Sequence, residues 1–222
     1  MSQEFIDIID TQHTIIFWIT KIGGESSIIC SLYLIMKILR DHIRRKKFYH
    51  RIIVALSMNA VLFAGAIFCN SWPTPKSFSI RGAAGTQRTC DAQGAVLSFT
   101  SMTLSSYYLL LSVFAFHSVR NNFDETWFRK FELRVHLSIY IIPTIITVIA
   151  VTNDFINPAK NQCYIASYPP GCYLDDKFGK CIRGERGYKL FVTICTVMGC
   201  TTILITLMLF IGLIFYVRRK EK

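Results

Sequence analysis

The residues with the plainest chemistry are four cysteines, Cys90, Cys163, Cys172 and Cys181, and that chemistry is oxidation to disulfides. They fall in or beside connectors between apolar runs, three of them in or just after the stretch NQCYIASYPPGC at 161–172. Cys30, Cys69, Cys195 and Cys200 lie within apolar runs instead. Four cysteines allow three connectivities, and spacing alone does not choose among them. The reading adopted joins Cys90 to Cys163, which pins a long loop, and Cys172 to Cys181, which closes a short one. Free or differently paired thiols are the alternative. Other chemistry is sparse. His13, His42, His50, His117 and His136 are scattered, mostly at predicted helix ends, with no helical two-histidine metal pair. Neither a glycine-rich phosphate cradle nor a serine-nucleophile elbow is present, and GERG at 184–187 reads as a turn. No catalysis, metal or cofactor is expected.

The elements that must position these cysteines are membrane spans. Residues 51–71 carry no charge after Arg51, and 92–118, 137–152 and 190–217 carry none. A fifth run, 13–39, holds Lys21 and Glu25 within it. Each is long enough to cross about 30 Å of hydrocarbon as a helix. Strict alternation is absent, which excludes a barrel. The expected fold is an all-α membrane protein, one transmembrane domain over 1–222. Its helices run at about 13–39, 51–71, 92–118, 134–152 and 188–217. The acidic MSQEFIDIID lacks the positive segment of a secretory signal, so the first helix is expected to serve as its own uncleaved signal.

Charge and cysteine set the orientation together. RDHIRRKKFYHR, the connector with Arg129, Lys130 and Arg134, and the tail VRRKEK share one side. Lys and Arg in short loops mark the cytoplasmic face. The opposite side also carries Arg81, Arg88, Lys177, Arg183 and Arg186, so charge is not decisive alone. All four connector cysteines lie on that opposite side, as an oxidising compartment would require. The amino terminus is therefore expected outside, in a multi-pass protein of the plasma membrane. The net charge of +11 is met by an anionic inner leaflet and calls for no nucleic acid.

Read in order, the chain contains ILR and FYHRIIVALSMNA, SWPTPK, TCDAQG, SSYYLLLSV, CYIASYPPGC, CIRGERGYKLF and YVRRKE. This set resembles the seven-helix receptor-like proteins of diatoms and related algae, distantly similar to cyclic-AMP-receptor and secretin-type receptors. A bridge from the top of the third helix to the loop after the fourth is likewise the organisation of G-protein-coupled receptors. Asn59 and Ala60 stand where members carry an acidic residue, Cys163-Tyr164 where they carry Cys-Trp, and FHSVRNN contains no Asp-Arg-Tyr. The resemblance implies a receptor that senses an extracellular ligand and signals to a heterotrimeric G protein. It also implies two further helices beyond Lys222, this chain being the first five. A channel or transporter component and a non-signalling scaffold are the alternatives.

Gln93, Ser98 and Tyr164 near the outer mouth are the ligand-facing candidates, with Lys21 and Glu25 one turn apart in the first helix. Ser105 and Ser112 on the same face read as small-residue packing. Asn59 is expected to be satisfied by a neighbouring helix, and Tyr107 to fill the inner core. Pro143 is expected to kink the fourth helix. Arg120, Trp127, Arg129 and Lys130 form the candidate cytoplasmic partner surface, with Trp127 equally suited to anchoring in the interface.

Overall fold

A computed structural model describes residues 3–78, 82–121, 125–159, 162–169, 172 and 180–220. Arg81 and Lys177, two of the bases on the cysteine side, lie outside them. Five helices are long and apolar enough to span a membrane. They are α1 (Gln3–Arg40), α3 (Phe48–Phe68), α4 (Gln87–Arg120), α5 (Thr126–Thr152) and a broken fifth span. That last span comprises α6 (Gly187–Ile194), a π-helical turn (Cys195–Gly199) and α7 (Cys200–Lys220). A short helix, α2 (His42–Lys46), links the first two spans. It is capped by Asp41, whose carboxylate accepts the Ile43 and Arg44 backbone N–H groups.

The helix limits differ from the sequence expectation for local reasons. α3 starts at Phe48 rather than 51 because Glu125 reaches across from the connector between α4 and α5 and accepts the Phe48 N–H at 2.9 Å. It ends at Phe68, where Asn70 turns the chain at φ 49°, a left-handed conformation asparagine tolerates. α4 starts at Gln87 because Thr86 and Thr89 form a reciprocal capping box. α5 starts eight residues early: Thr126–Leu133 continues the helix, with Phe128 buried and Trp127, Arg129 and Lys130 exposed. Pro143 lies inside α5, fully buried.

The all-α expectation needs one correction. After α5 the chain forms an antiparallel hairpin of β1 (Ile156–Ala159) and β2 (Gln162–Ile165), with Ile156 opposite Ile165 and Pro158 opposite Cys163. Its short strands have no long alternation by which to be seen. Cys163 and Ile165 alternate with the half-buried Gln162 and Tyr164, so one face of β2 lies on the bundle.

α4 is the hub, touching α3, α5, α7 and both hairpin strands, while α1 packs on α3. Two clusters fill the ends. Phe48, Ile52, Tyr107, Phe114, Phe128 and Ile139 form the one at the basic end. Cys90, Ala150, Ile156, Cys163 and Ile165 form the one at the cysteine end. Large apolar side chains elsewhere, such as Ile19, Ile142, Leu207 and Phe215, face outward, as lipid-facing surface should.

Gly94 permits the hairpin to approach α4. A Cβ there would meet Ile156 Cγ2 at 2.3 Å. Gly94→Ala should therefore cost about 1–3 kcal/mol as an overpacked site. Thermal unfolding in detergent would read this as a lowered midpoint; an unchanged midpoint would mean that the hairpin does not sit against α4.

Candidate functional site

The cysteine end is built around one turn of α4. Cys90 is bonded to Cys163 of β2, with Cα atoms 5.3 Å apart, across a sequence separation of 73. Cys172 is bonded to Cys181, nine residues on, with Cα atoms 5.2 Å apart. Both pairs are the ones expected. Thr74, fully buried in the connector after α3, places its hydroxyl 3.6 Å from Cys163 Sγ. The same connector is tied to α4 by Thr89, which donates to the Pro73 carbonyl at 2.7 Å.

Gln93 lies one turn below Cys90 and is only 6% exposed. Its Nε2 donates to the Ala66 and Asn70 carbonyls at 2.9 and 2.8 Å. Its Oε1 accepts the Cys163 N–H at 3.0 Å. One amide thus joins the end of α3, the body of α4 and strand β2. Carbonyls at a helix end lack intrahelical partners, which is why a side chain with two donors fits there. Within the hairpin, Asn157 of β1 donates to the Asp154 and Ala166 carbonyls at 3.0 and 2.8 Å, and Arg183 pairs with Asp154 at 2.5 Å.

Tyr164 points the other way. Its hydroxyl is 3.0 Å from Ser101 Oγ, and its ring meets Phe191 of α6 edge-on at 5.4 Å. Burial pushes the Tyr164 phenol above its ordinary range, opposed by the hydrogen bond to Ser101. It is therefore a neutral hydrogen-bonding group at physiological pH. Ser98 is buried and donates to the Gly94 carbonyl at 2.7 Å.

The candidates therefore divide. Gln93, Ser98 and Tyr164 surround the junction of α4 and the hairpin, with the Gln93 amide committed to the fold itself. Lys21 lies in the α1–α3 seam, its ammonium 4.7 Å from the Phe17 ring centre and 5.4 Å from that of Phe68. Glu25 is exposed, and among the described residues no ion pair joins the two. At the basic end Arg120, Trp127, Arg129 and Lys130 are all exposed. Trp127 stacks on His117, and the Arg120 carbonyl accepts from Tyr216 at 3.4 Å, joining α4 to α7.

Between the two ends runs a polar chain that sequence reading found only in part. Arg51 pairs with Glu132 at 2.7 Å, and Glu132 lies 4.0 Å from His136 Nε2. His136 Nδ1 is 2.7 Å from the Tyr107 hydroxyl, and the Tyr107 ring meets Tyr140 edge-on. Tyr140 accepts from Asn59 Nδ2 at 3.0 Å, and Asn59 Oδ1 accepts from Thr103 at 3.0 Å. Asn59 is thus satisfied across helices as expected, but Tyr107 does more than fill space. His136 is no helix-end residue either, because α5 begins at Thr126. Spacing held the signal: Arg51 and Asn59, Glu132, His136 and Tyr140, and Thr103 and Tyr107 recur at four or eight residues, one row per helix. Ionisable and polar groups inside spans are costly and point to function.

Replacing both ends of the deepest link tests the chain. Asn59→Leu and Thr103→Val should couple by about 0.6 kcal/mol, at most about 1.7, as intramembrane hydrogen bonds do. A double-mutant cycle of unfolding in mixed micelles measures the coupling, and strictly additive losses would remove this link.

No protein-family model matches the chain, and no curated protein matches it.

Proposed function

We propose that this chain is a receptor-like signalling protein of the seven-helix type, with its amino terminus and clamped hairpin on the extracellular side of the plasma membrane. The observation that carries this reading is the clamp: a disulfide joins the first turn of the third span to the hairpin following the fourth. Such a bond holds a cap at the mouth of a helix bundle. The position of α4 supports the same reading, because a span in contact with three others and with the cap can pass a change at the mouth to the far side. An extracellular ligand would be met around Tyr164 and Ser98, with Gln93 setting the height of the cap and Lys21 and Glu25 offering charge from α1. The polar chain from Thr103 to Arg51 would be the element with two arrangements. Arg120, Trp127, Arg129 and Lys130 would receive a heterotrimeric G protein.

Epitope tags test the orientation. Tags at the amino terminus and within 161–181 should bind antibody on intact cells, and a carboxyl-terminal tag only after permeabilisation. A carboxyl-terminal tag exposed on intact cells would invert the reading. The signalling half is tested by nucleotide exchange on a co-reconstituted G protein, which should require the chain and fall when Arg129 and Lys130 are both changed to Glu. Exchange that is indifferent to the chain would favour a scaffold.

A further inference from the structure

A second site lies at the basic end, on the side of α4 that faces α3. A cavity of about 640 Å³ opens there, within the size range of small-molecule sites. Phe114, Ala115 and Val119 of α4 form its apolar wall, and Lys47 and His50 stand at the first turn of α3. Ser118 also lines it and is only 2% exposed, yet its hydroxyl has no partner among the described residues. That is unusual on this helix. Ser98, Ser101, Ser105, Ser106 and Ser112 all donate to a carbonyl one turn back. His50 Nδ1 is likewise buried and unpartnered. Glu125, the acid on the wall, accepts the Phe48 N–H and so spends its charge capping α3. A buried polar atom without a partner is costly, so the Ser118 hydroxyl and His50 Nδ1, which donates when that nitrogen carries the ring proton, mark a missing acceptor at one cavity.

We propose that this cavity binds the phosphate of an anionic glycerophospholipid from the leaflet facing the 40–51 segment. The phosphate oxygens would accept from Ser118 Oγ, His50 Nδ1 and Lys47 Nζ. The first methylenes of an acyl chain would lie along Phe114, Ala115 and Val119. A lipid fits better than a soluble anion because the wall is apolar and belongs to a membrane span. Lys47 is exposed at the rim, among Arg44, Arg45 and Lys46, where an anionic leaflet is drawn in.

The test is native mass spectrometry of the detergent-solubilised chain titrated with phosphatidylserine, phosphatidylcholine or soluble glycerophosphate. One phosphatidylserine should bind about tenfold more tightly than phosphatidylcholine, with glycerophosphate weaker still. Ser118→Val and Lys47→Gln together should remove about tenfold of affinity or more, the scale of hydrogen bonds to a charged group. Ala115→Trp, which fills the cavity from an exposed position, should also block binding and serves if Ser118→Val fails to fold. Arg218→Gln with Arg219→Gln, at the same end of the bundle but away from the cavity, should leave it intact. Equal binding of the two lipids would overturn the proposal, as would full affinity in Ser118→Val or Ala115→Trp. Equal loss in the arginine control would mean diffuse attraction to basic residues and would also overturn it. Glycerophosphate as tight as phosphatidylserine would reassign the cavity to soluble anions.

Discussion

Cys90→Ala and Cys163→Ala should each lower stability by about 2–4 kcal/mol, and the double variant should be little worse than either. The bond closes 73 residues of chain, against nine for Cys172–Cys181. On the chain-entropy account, that difference in loop length alone makes the long bridge the stronger by about 1.9 kcal/mol at 25 °C. Packing works in the same direction, since Cys90 and Cys163 are fully buried in the cluster at the cysteine end and truncating either leaves a gap there. Cys172→Ala and Cys181→Ala should form a second, milder pair. Unfolding in detergent with and without reductant measures all four variants. Reductant should bring the wild type down to the level of a variant lacking both bridges, and should lower Cys90→Ala only by the smaller contribution of Cys172–Cys181. Equal losses for the two pairs would mean that the long bridge does not hold the cap.

Gln93→Leu should be comparably damaging for a different reason. The volume is kept, but the Ala66 and Asn70 carbonyls and the Cys163 N–H lose their partner together. Each buried group left unsatisfied costs about 1–3 kcal/mol, so a loss near 3 kcal/mol is expected even if one finds a substitute. Gln93→Glu should not rescue it, because a carboxylate can accept the Cys163 N–H but cannot donate to the two carbonyls. The measurement is the unfolding midpoint, with hydrogen exchange at Cys163 as the local readout. A leucine variant that keeps slow exchange there would remove Gln93 from the account. Gln93, Gly94 and Cys90 sit within five residues of α4, so these losses should fall short of additive when combined.

Much of this arrangement is legible in the sequence. The five spans follow from the apolar runs because hydrocarbon thickness sets a length that composition reveals. That the four connector cysteines form bridges follows from their falling at one end of the spans; which pairs form does not, since spacing leaves three connectivities open and the structure selects Cys90–Cys163 and Cys172–Cys181. The hairpin was hidden because INPA and QCYI are too short to show alternation, and their pairing depends on Gly94 and on the bridge to α4. The helix limits were hidden where caps come from afar: nothing near Phe48 announces that Glu125 will complete its first turn. The position of Gln93 near the head of its span is legible, but its job depends on where α3 ends, and that is set by Asn70. The polar chain is only partly legible, through Asn59 and Tyr107, because each helix shows only two or three of its members and the regular four-residue rows make sense only once the helices face one another.

A disulfide from the head of the third span clamps the hairpin over the bundle, and non-reducing peptide mapping reads that bond without any mutation. Digestion of the membrane-inserted chain with its thiols blocked should release one peptide pair linked through Cys90 and Cys163 and another through Cys172 and Cys181. Cys30, Cys69, Cys195 and Cys200 should carry the blocking group. Recovery of Cys90 linked to Cys172 or Cys181, or of Cys90 as a blocked free thiol, would contradict the account.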